Sequence, residues 1–200
     1  MRFCRALLYG AAVLVFEIAA QAAPFVVFPN VGQLPSQDGR FVLRNTNREA
    51  PYSEYSGNFH SLFLEDTASG HSRKLCDYLG VVAVAWARND VIIVTEYVSK
   101  NTSRALIFVA GDSAGPVVID KPLLAHLVPD SLRSQLQGND HVFVEAAGIK
   151  SESITLRVWG YGAHDAKGFR WLCEYSLQEG KISCDEPAPR QSASANQPAP

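Results

Sequence analysis

The segment from Leu79 to Val98 constrains the fold of this chain more than any other part of the sequence. It contains two short apolar runs joined by a polar turn, Arg88-Asn89-Asp90, and β-branched and aromatic residues dominate both runs. Such residues favour strands, and each run is too short for a typical helix. Because the runs are apolar at nearly every position instead of alternating, we expect a β-hairpin that is covered on both faces.

Segments similar to the second half of this hairpin occur three times at a nearly constant spacing. They begin at Asp38, Asn89 and Asn139, which are 51 and 50 residues apart. In each case a polar loop, a strand, a turn and another strand follow in the same order. A period of about fifty with three or four short strands per unit is typical of blades or meander arrays, although any all-β chain has regularly spaced turns. The sequence therefore predicts an all-β domain of three propeller-like antiparallel blades of about 50 residues.

One short helix is predicted between the second and third units. An Asp or Ser N-cap after Pro129 and two leucines spaced i, i+4 indicate a helix over about Ser131–Gln137, which Gly138 ends. Three blades are fewer than the four that normally close a propeller. An open array, a closure that uses a strand at Phe25–Phe28, and a compact β-sandwich all remain compatible with the sequence.

Two of the turns resemble a known repeat family. Pro35-Ser36-Gln37-Asp38-Gly39-Arg40-Phe41 resembles the Ser-Pro-Asp-Gly-Arg/Lys-aromatic signature of TolB-type, PD40 β-propeller repeats. Ala85-Trp86-Ala87-Arg88-Asn89-Asp90 is similar to the Trp-Ser-Pro-Asp-Gly form of the same turn, without its proline and glycine. In the first turn Gln37 stands at the proline position. The resemblance covers these turns and the strands that follow, and it implies propeller-like blades and a binding role without a particular activity.

The N-terminal segment indicates an exported protein. A positively charged start and a short apolar run precede Ala20-Gln21-Ala22, which fits the small-x-small cleavage rule, so residues 1–22 are predicted to be a signal peptide. The apolar run is far shorter than the roughly 20 residues of a spanning helix, and we expect no transmembrane segment in the mature chain. We expect residues 23–185 to form one periplasmic or secreted domain and residues 186–200 to form a disordered tail.

The leading interpretation is an exported, non-enzymatic binding or interaction protein of the bacterial envelope, with no cofactor. A formal net charge of −2 without a basic stripe argues against nucleic acid as a partner, and favours an unknown protein or envelope component. The polar loop Asn45–Asn58 is the predicted contact surface, because exposed tyrosines offer contact area at low entropic cost. Its candidate binding residues are Tyr52, Glu54, Tyr55 and Asn58. The alternative is that both tyrosine rings fold back onto the domain.

If the three units are true repeats, their polar loops occupy equivalent positions. The loops Asn45–Asn58, Ser99–Ser103 and Gly148–Ser153 would then emerge at the same end of the blades. Binding residues concentrate on such loops because the strands are committed to packing.

A second interpretation is a serine hydrolase centred on Ser113. Gly111-Asp112-Ser113-Ala114-Gly115-Pro116 resembles the Gly-Asp-Ser-Gly-Gly-Pro nucleophile segment of chymotrypsin-like serine proteases, which implies that Ser113 would attack the substrate. No histidine before Ser113 lies in the sequence context that this family requires, and the residues of the segment are also ordinary turn formers.

A third interpretation is a secreted enzyme inhibitor that uses Tyr52 and Tyr55. We predict that no residue is catalytic.

Three cysteines remain after the predicted cleavage, and in an oxidising compartment one pair should form a disulfide. Cys173 and Cys184 would face each other across a hairpin if Leu177–Gly180 forms a four-residue loop. The alternative is that Cys76 and Cys173 are buried free thiols, because both lie in Leu-Cys-acid-Tyr segments. No metal site is predicted, since the His and Cys residues lack zinc-ligand spacing.

Overall fold

The computed structural model describes residues 25–47, 59–162 and 168–185, and these are mostly β-strand. The two short helices are α1 (Lys121–Leu127) and α2 (Asp130–Gln137). The strands are β1 (Val26–Phe28), β2 (Gln33–Pro35), β3 (Phe41–Asn47), β4 (Phe59–Asp66), β5 (Ser72–Leu79), β6 (Val82–Arg88), β7 (Val91–Ser99), β8 (Thr102–Val109), β9 (Val117–Ile119), β10 (His141–Ile149), β11 (Ser153–Tyr161), β12 (Phe169–Ser176) and β13 (Ile182–Asp185).

The strands form two sheets, which confirms the prediction of an all-β fold. One sheet has four strands in the order β2-β3-β4-β5. The other has nine strands in the order β1-β6-β7-β8-β10-β11-β12-β13, with β9 paired to β8. All pairs are antiparallel except β8 with β10, which meet in a parallel pairing of Thr102 with Val142. Within the described residues neither sheet closes on itself.

The β6–β7 hairpin is covered on both faces, as its sequence predicts. The two strands are joined at the turn Asn89-Asp90. Val91 and Ile93 belong to one buried cluster, and Ile92 and Val94 belong to a second cluster. Successive side chains of a strand point to opposite faces, so this hairpin separates two cores.

Three consecutive antiparallel meanders surround these two cores. The first meander, β2–β5, supplies one core together with one face of the second meander, β6–β9. The third meander, β10–β13, and both helices supply the other core with the opposite face of the second meander. Trp171 on β12 is almost fully buried there, and its indole N–H donates to Oε1 of Gln135 on α2 at 3.1 Å.

The helical region contains two helices where the sequence analysis predicted one. Helix α2 confirms the predicted helix, and its Leu132 and Leu136 are fully buried. The predicted N-cap is wrong, because Pro129 is the cap residue and no side chain caps the helix. Helix α1 was not predicted, because its seven residues are too few to show a clear helical period. The carboxylate of Asp120 caps α1 by accepting the backbone N–H of Leu123 at 2.9 Å, and Leu124 anchors the helix in the core.

The strand expected at Phe25–Phe28 is present as β1, but it does not pair with β13. It pairs with β6, with Val26 opposite Val84, and so extends an edge of the second meander. Phe28 is fully buried in the core shared with the first meander. This strand therefore does not provide the ring closure that we considered.

The polar loops of the second and third units lie at opposite ends, so the expectation of a shared end is wrong for this pair. Strand β10 starts beside Thr102, at the β7–β8 turn, and runs parallel to β8. Further along β10, the Ser103 hydroxyl accepts the backbone N–H of Val144 at 3.0 Å and donates to its carbonyl at 3.1 Å. The loop around residues 150–152 follows the far end of β10, away from the β7–β8 turn. The parallel contact of β8 with β10 causes this difference.

Candidate functional site

A cleft of about 320 Å³ opens between the first meander and the loop that joins β8 to β9. This volume lies at the lower end of the range for small-ligand pockets, which is roughly 300–1,000 Å³. Five polar side chains line the cleft: Arg40, Asp66, Ser69, His71 and Arg73. They come from two hairpin turns of the first meander and from the start of β5.

The β2–β3 turn positions Arg40. The Ser36 hydroxyl donates to Oδ1 of Asp38 at 2.7 Å, and the same oxygen accepts the backbone N–H of Arg40 at 3.1 Å. The bond from Ser36 and the bond from Arg40 hold the pKa of Asp38 below its ordinary value. Gly39 has a φ of 70°, which glycine adopts without strain. The Asp-Gly pair of the propeller-like motif thus forms a rigid turn that ends at Arg40.

The β4–β5 turn engages the carboxylate of Asp66. Its Oδ1 accepts the backbone N–H groups of Ala68 at 3.0 Å and Ser69 at 2.9 Å. These bonds, together with a bond from the Ser69 hydroxyl, hold the pKa of Asp66 below its ordinary value. Much of the acceptor capacity of Asp66 is therefore used by the turn itself.

Arg73 connects the first meander to the β8–β9 loop. Its Nη2 donates to the carbonyl oxygen of Val109 at 2.8 Å and contacts that of Ala110 at 3.4 Å. Arg40 also lines the cleft, and its guanidinium lies 5.2 Å from the centroid of the Phe41 ring. Neither the Arg40 guanidinium nor the His71 imidazole hydrogen-bonds to any residue in the described ranges. The cleft therefore carries several N–H donors that remain available.

The trio of Asp66, Ser69 and His71 is not arranged as a catalytic triad. In a triad the serine hydroxyl bonds to the imidazole, which acts as its base. Here the Ser69 hydroxyl accepts the backbone N–H of His71 at 3.2 Å, and the Asp66 carboxylate accepts backbone N–H groups of the turn, so neither side chain bonds to the imidazole. These contacts stabilise a hairpin turn and do not activate the hydroxyl as a nucleophile.

Ser113 lies on the exposed β8–β9 loop, outside the set of residues that line the cleft. The backbone N–H of Ala114 donates to Oδ1 of Asp112 at 2.8 Å, which is the local bonding of an Asx turn. Gly111, from the same protease-like segment, does line the cleft. The first propeller-like turn and the protease-like segment therefore meet here, through Arg40 and Gly111.

The other predicted site residues fall in different places. Tyr52, Glu54, Tyr55 and Asn58 lie outside the described residues. A disulfide joins Cys173 to Cys184, which face each other on β12 and β13. The loop between these strands is residues 177–180, closed by a bond from the backbone N–H of residue 176 to the carbonyl of residue 181 at 2.9 Å.

Cys76 is a free thiol on β5. Burial raises its pKa to about 12, and the carboxylates of Glu96 and Asp77 add to the effect. Glu96 is itself nearly buried and accepts a hydrogen bond from Nε of Arg104 at 2.7 Å. A thiol with so high a pKa is protonated at neutral pH and is a poor nucleophile.

A row of aromatic side chains lies on the outer face of β10 and β11, away from the core. Phe143 and Trp159 stack with their centroids 4.0 Å apart, and His141 and Tyr161 pack against each other at 4.6 Å. The side chain of Tyr161 is 43% exposed. These rings largely contact one another, as cross-strand aromatic pairs do.

Comparison of the chain with protein-family models, with curated proteins and with solved structures found no match. Among the described residues, no group of three or more His, Cys, Asp or Glu side chains is arranged to hold a metal ion. No helix in the same ranges has the length and apolar character that crossing a bilayer requires.

Proposed function

We propose that this chain is an exported, non-enzymatic binding protein of the bacterial envelope, and that the cleft beside Arg40 is its binding site. The observation that carries the proposal is the set of unused N–H donors on Arg40, Arg73 and His71, which line one cleft at the junction of two meanders. Ligand sites commonly combine a concave, partly apolar surface with a few convergent polar groups.

The scaffold that we propose consists of three propeller-like blades, one for each meander. Propeller blades are antiparallel meanders of about four strands, and each of the three meanders here has four strands in consecutive order. The meanders also pack face to face through two apolar cores. The parallel contact of β8 with β10 departs from a regular blade array, and it accounts for the different exits of the polar loops.

A capture experiment tests the binding function. The wild-type chain, an Arg40→Gln variant and an Arg170→Gln variant would each be immobilised and exposed to envelope extract. Arg170 is an exposed residue on β12, so its replacement removes the same charge far along the chain from the cleft. We expect proteins or envelope components that the wild type and Arg170→Gln retain and that Arg40→Gln loses. Equal retention by all three chains would contradict the assignment of the cleft.

The predicted polar loop Asn45–Asn58 is shorter than expected at its start, because residues 45–47 belong to β3, and its remainder is a predicted second contact surface. A Tyr52→Ala, Tyr55→Ala double variant in the same capture experiment should weaken retention while the thermal midpoint changes little. If the rings are core residues, each truncation should instead lower stability by about 3–5 kcal/mol. Unchanged retention by the folded double variant would remove this loop from the binding surface.

The serine hydrolase alternative has its own direct test. An activated serine reacts covalently with a fluorophosphonate, whereas an unactivated turn serine does not. We expect no labelling of the wild-type chain beyond that of a Ser113→Ala variant. Labelling that is lost in Ser113→Ala would show that Ser113 is a nucleophile and would contradict a purely binding role.

A further inference from the structure

The cleft beside Arg40 has more hydrogen-bond donors than acceptors. Arg40 and Arg73 each carry five N–H groups on the guanidinium, and only Nη2 of Arg73 donates to residues in the described ranges. The main acceptor in the lining is the carboxylate of Asp66, and its Oδ1 already accepts two backbone N–H groups. A ligand that complements this cleft must therefore be rich in acceptors.

The charge of the lining indicates how many negative charges the ligand carries. The two guanidinium groups contribute two positive charges, and the Asp66 carboxylate contributes one negative charge, so the formal charge of the lining alone with neutral His71 is +1. The Asp38 carboxylate, just outside the lining, also interacts with the charge of Arg40 and lowers the local positive charge further. A single negative charge balances this lining, whereas a doubly charged phosphate would exceed it. Planar guanidinium groups also match the two oxygens of a carboxylate.

The remaining lining is apolar. Phe41 and Leu64 are 7% and 3% exposed, and they form part of the wall together with Ala110. Because these side chains are already nearly buried, the apolar surface beside the donors is small, and it fits only a small apolar group next to the charged group of the ligand. Contact removes that surface and the apolar surface of the ligand from water.

We propose that this cleft binds a monoanionic carboxylate attached to a small apolar group, as in an apolar peptide C-terminus or a free carboxylic acid. Arg40 supplies the guanidinium that has no hydrogen-bond acceptor in the described ranges, Arg73 supplies the guanidinium that the carbonyls of Val109 and Ala110 hold, and the edge of Phe41 contacts the apolar group. This inference rests on the proposed binding function and names the chemistry of the same site.

The test is a titration of the full chain with N-acetyl-leucine, followed by the backbone amide resonances of Ser69, His71 and Gly111 in NMR spectra. Charge-assisted hydrogen bonds contribute about 1.5–3 kcal/mol, so Arg40→Gln should weaken binding by about tenfold to a hundredfold. Arg170→Gln should bind as the wild type does. The uncharged amide of N-acetyl-leucine should bind at least tenfold more weakly than the acid.

Further ligands identify the source of the carboxylate. Tighter binding of a short peptide with a free C-terminal leucine than of N-acetyl-leucine would support a chain terminus as the ligand. Equal binding of the two would support a small free acid. Inorganic phosphate that binds as tightly as N-acetyl-leucine would overturn the proposal, since the cleft would then respond to charge alone.

Three results would overturn the proposal directly: no binding of N-acetyl-leucine by the wild type at millimolar concentration, equal binding by the folded Arg40→Gln variant, or equal binding of the amide. The capture experiment separates these failures from a failure of the proposed function. If Arg40→Gln loses envelope partners while carboxylates do not bind, the ligand class is wrong and the binding function stands. If neither experiment depends on Arg40, both proposals fail.

Discussion

Truncation of two adjacent residues on β7 tests the layered arrangement of the fold. Ile92 and Ile93 are both fully buried, and they belong to different cores. In a sheet with one solvated face, only one of two neighbouring strand residues contributes a large packing term. Because both faces are covered here, Ile92→Ala and Ile93→Ala should each lower the free energy of unfolding by about 2–5 kcal/mol.

The magnitude can be measured by urea unfolding followed through tryptophan fluorescence. The reporters are Trp86, in the core that contains Ile92, and Trp171, in the core that contains Ile93. Each kcal/mol corresponds to about 2–4 °C in the thermal midpoint of a domain of this size, so a drop of several degrees is expected for either variant. Val98→Ala is the matched control, because Val98 is half exposed on the same strand and its truncation should change stability by about 0.5 kcal/mol or less.

The two variants must both be destabilised for the reasoning to hold. If Ile92→Ala unfolds at nearly the same urea concentration as the wild type, the first meander does not cover that face. If Ile93→Ala leaves the free energy of unfolding unchanged, the third meander and the helices do not cover the other face. Either outcome would refute the assignment of two cores to one hairpin.

Three further predictions concern the turns and the cysteines. Replacing both Cys173 and Cys184 by serine should lower stability by about 2–4 kcal/mol, because the disulfide closes a loop in the unfolded chain; unfolding curves that match the wild type would contradict this. The hydrogen bonds that lower the pKa of Asp66 stabilise its charged form, so this contribution to stability is present above the unfolded pKa and is lost as the pH falls below about 4. Asp66→Asn should therefore make the free energy of unfolding depend less on pH in that range. An unchanged pH dependence would show that the turn does not stabilise the charged form. Because burial raises the pKa of Cys76 to about 12, iodoacetamide at pH 8 should modify it far more slowly in the native chain than in urea, and equal rates would show that the thiol is exposed.

The strands were the part of the fold that could be predicted most directly. The apolar runs on either side of Asn89-Asp90 are long enough to indicate a hairpin, and their lack of alternation indicates that both faces are covered. Helix α2 could be predicted because Leu132 and Leu136 recur at the helical period and Gly138 follows, although the capping side chain that the sequence indicated is not used. Helix α1 could not, because Leu124 alone is fully buried and a single residue defines no period.

The candidate site could be predicted only in fragments. The Asp-Gly turn before Arg40 and the glycine-rich segment at Gly111 were visible as motifs, but nothing in either motif indicates that they lie beside the same cleft. His71 and Arg73 carried no motif that pointed to this cleft. Residues so far apart in the chain come together only when the first meander packs on the second.

The sequence by itself determined most local features of this protein: most of the strands, the main turns, and the burial of the β6–β7 hairpin on both faces. Those features depend on side-chain periodicity and turn chemistry, which act over a few residues. The order of the layers, the parallel contact of β8 with β10, and the convergence of Arg40, Arg73 and Gly111 were decided by the tertiary structure. Burial of apolar surface drives that assembly, and this force has no preferred direction. The pattern of apolar residues therefore shows that a sheet face is covered, but it does not specify which other sheet or helix covers it.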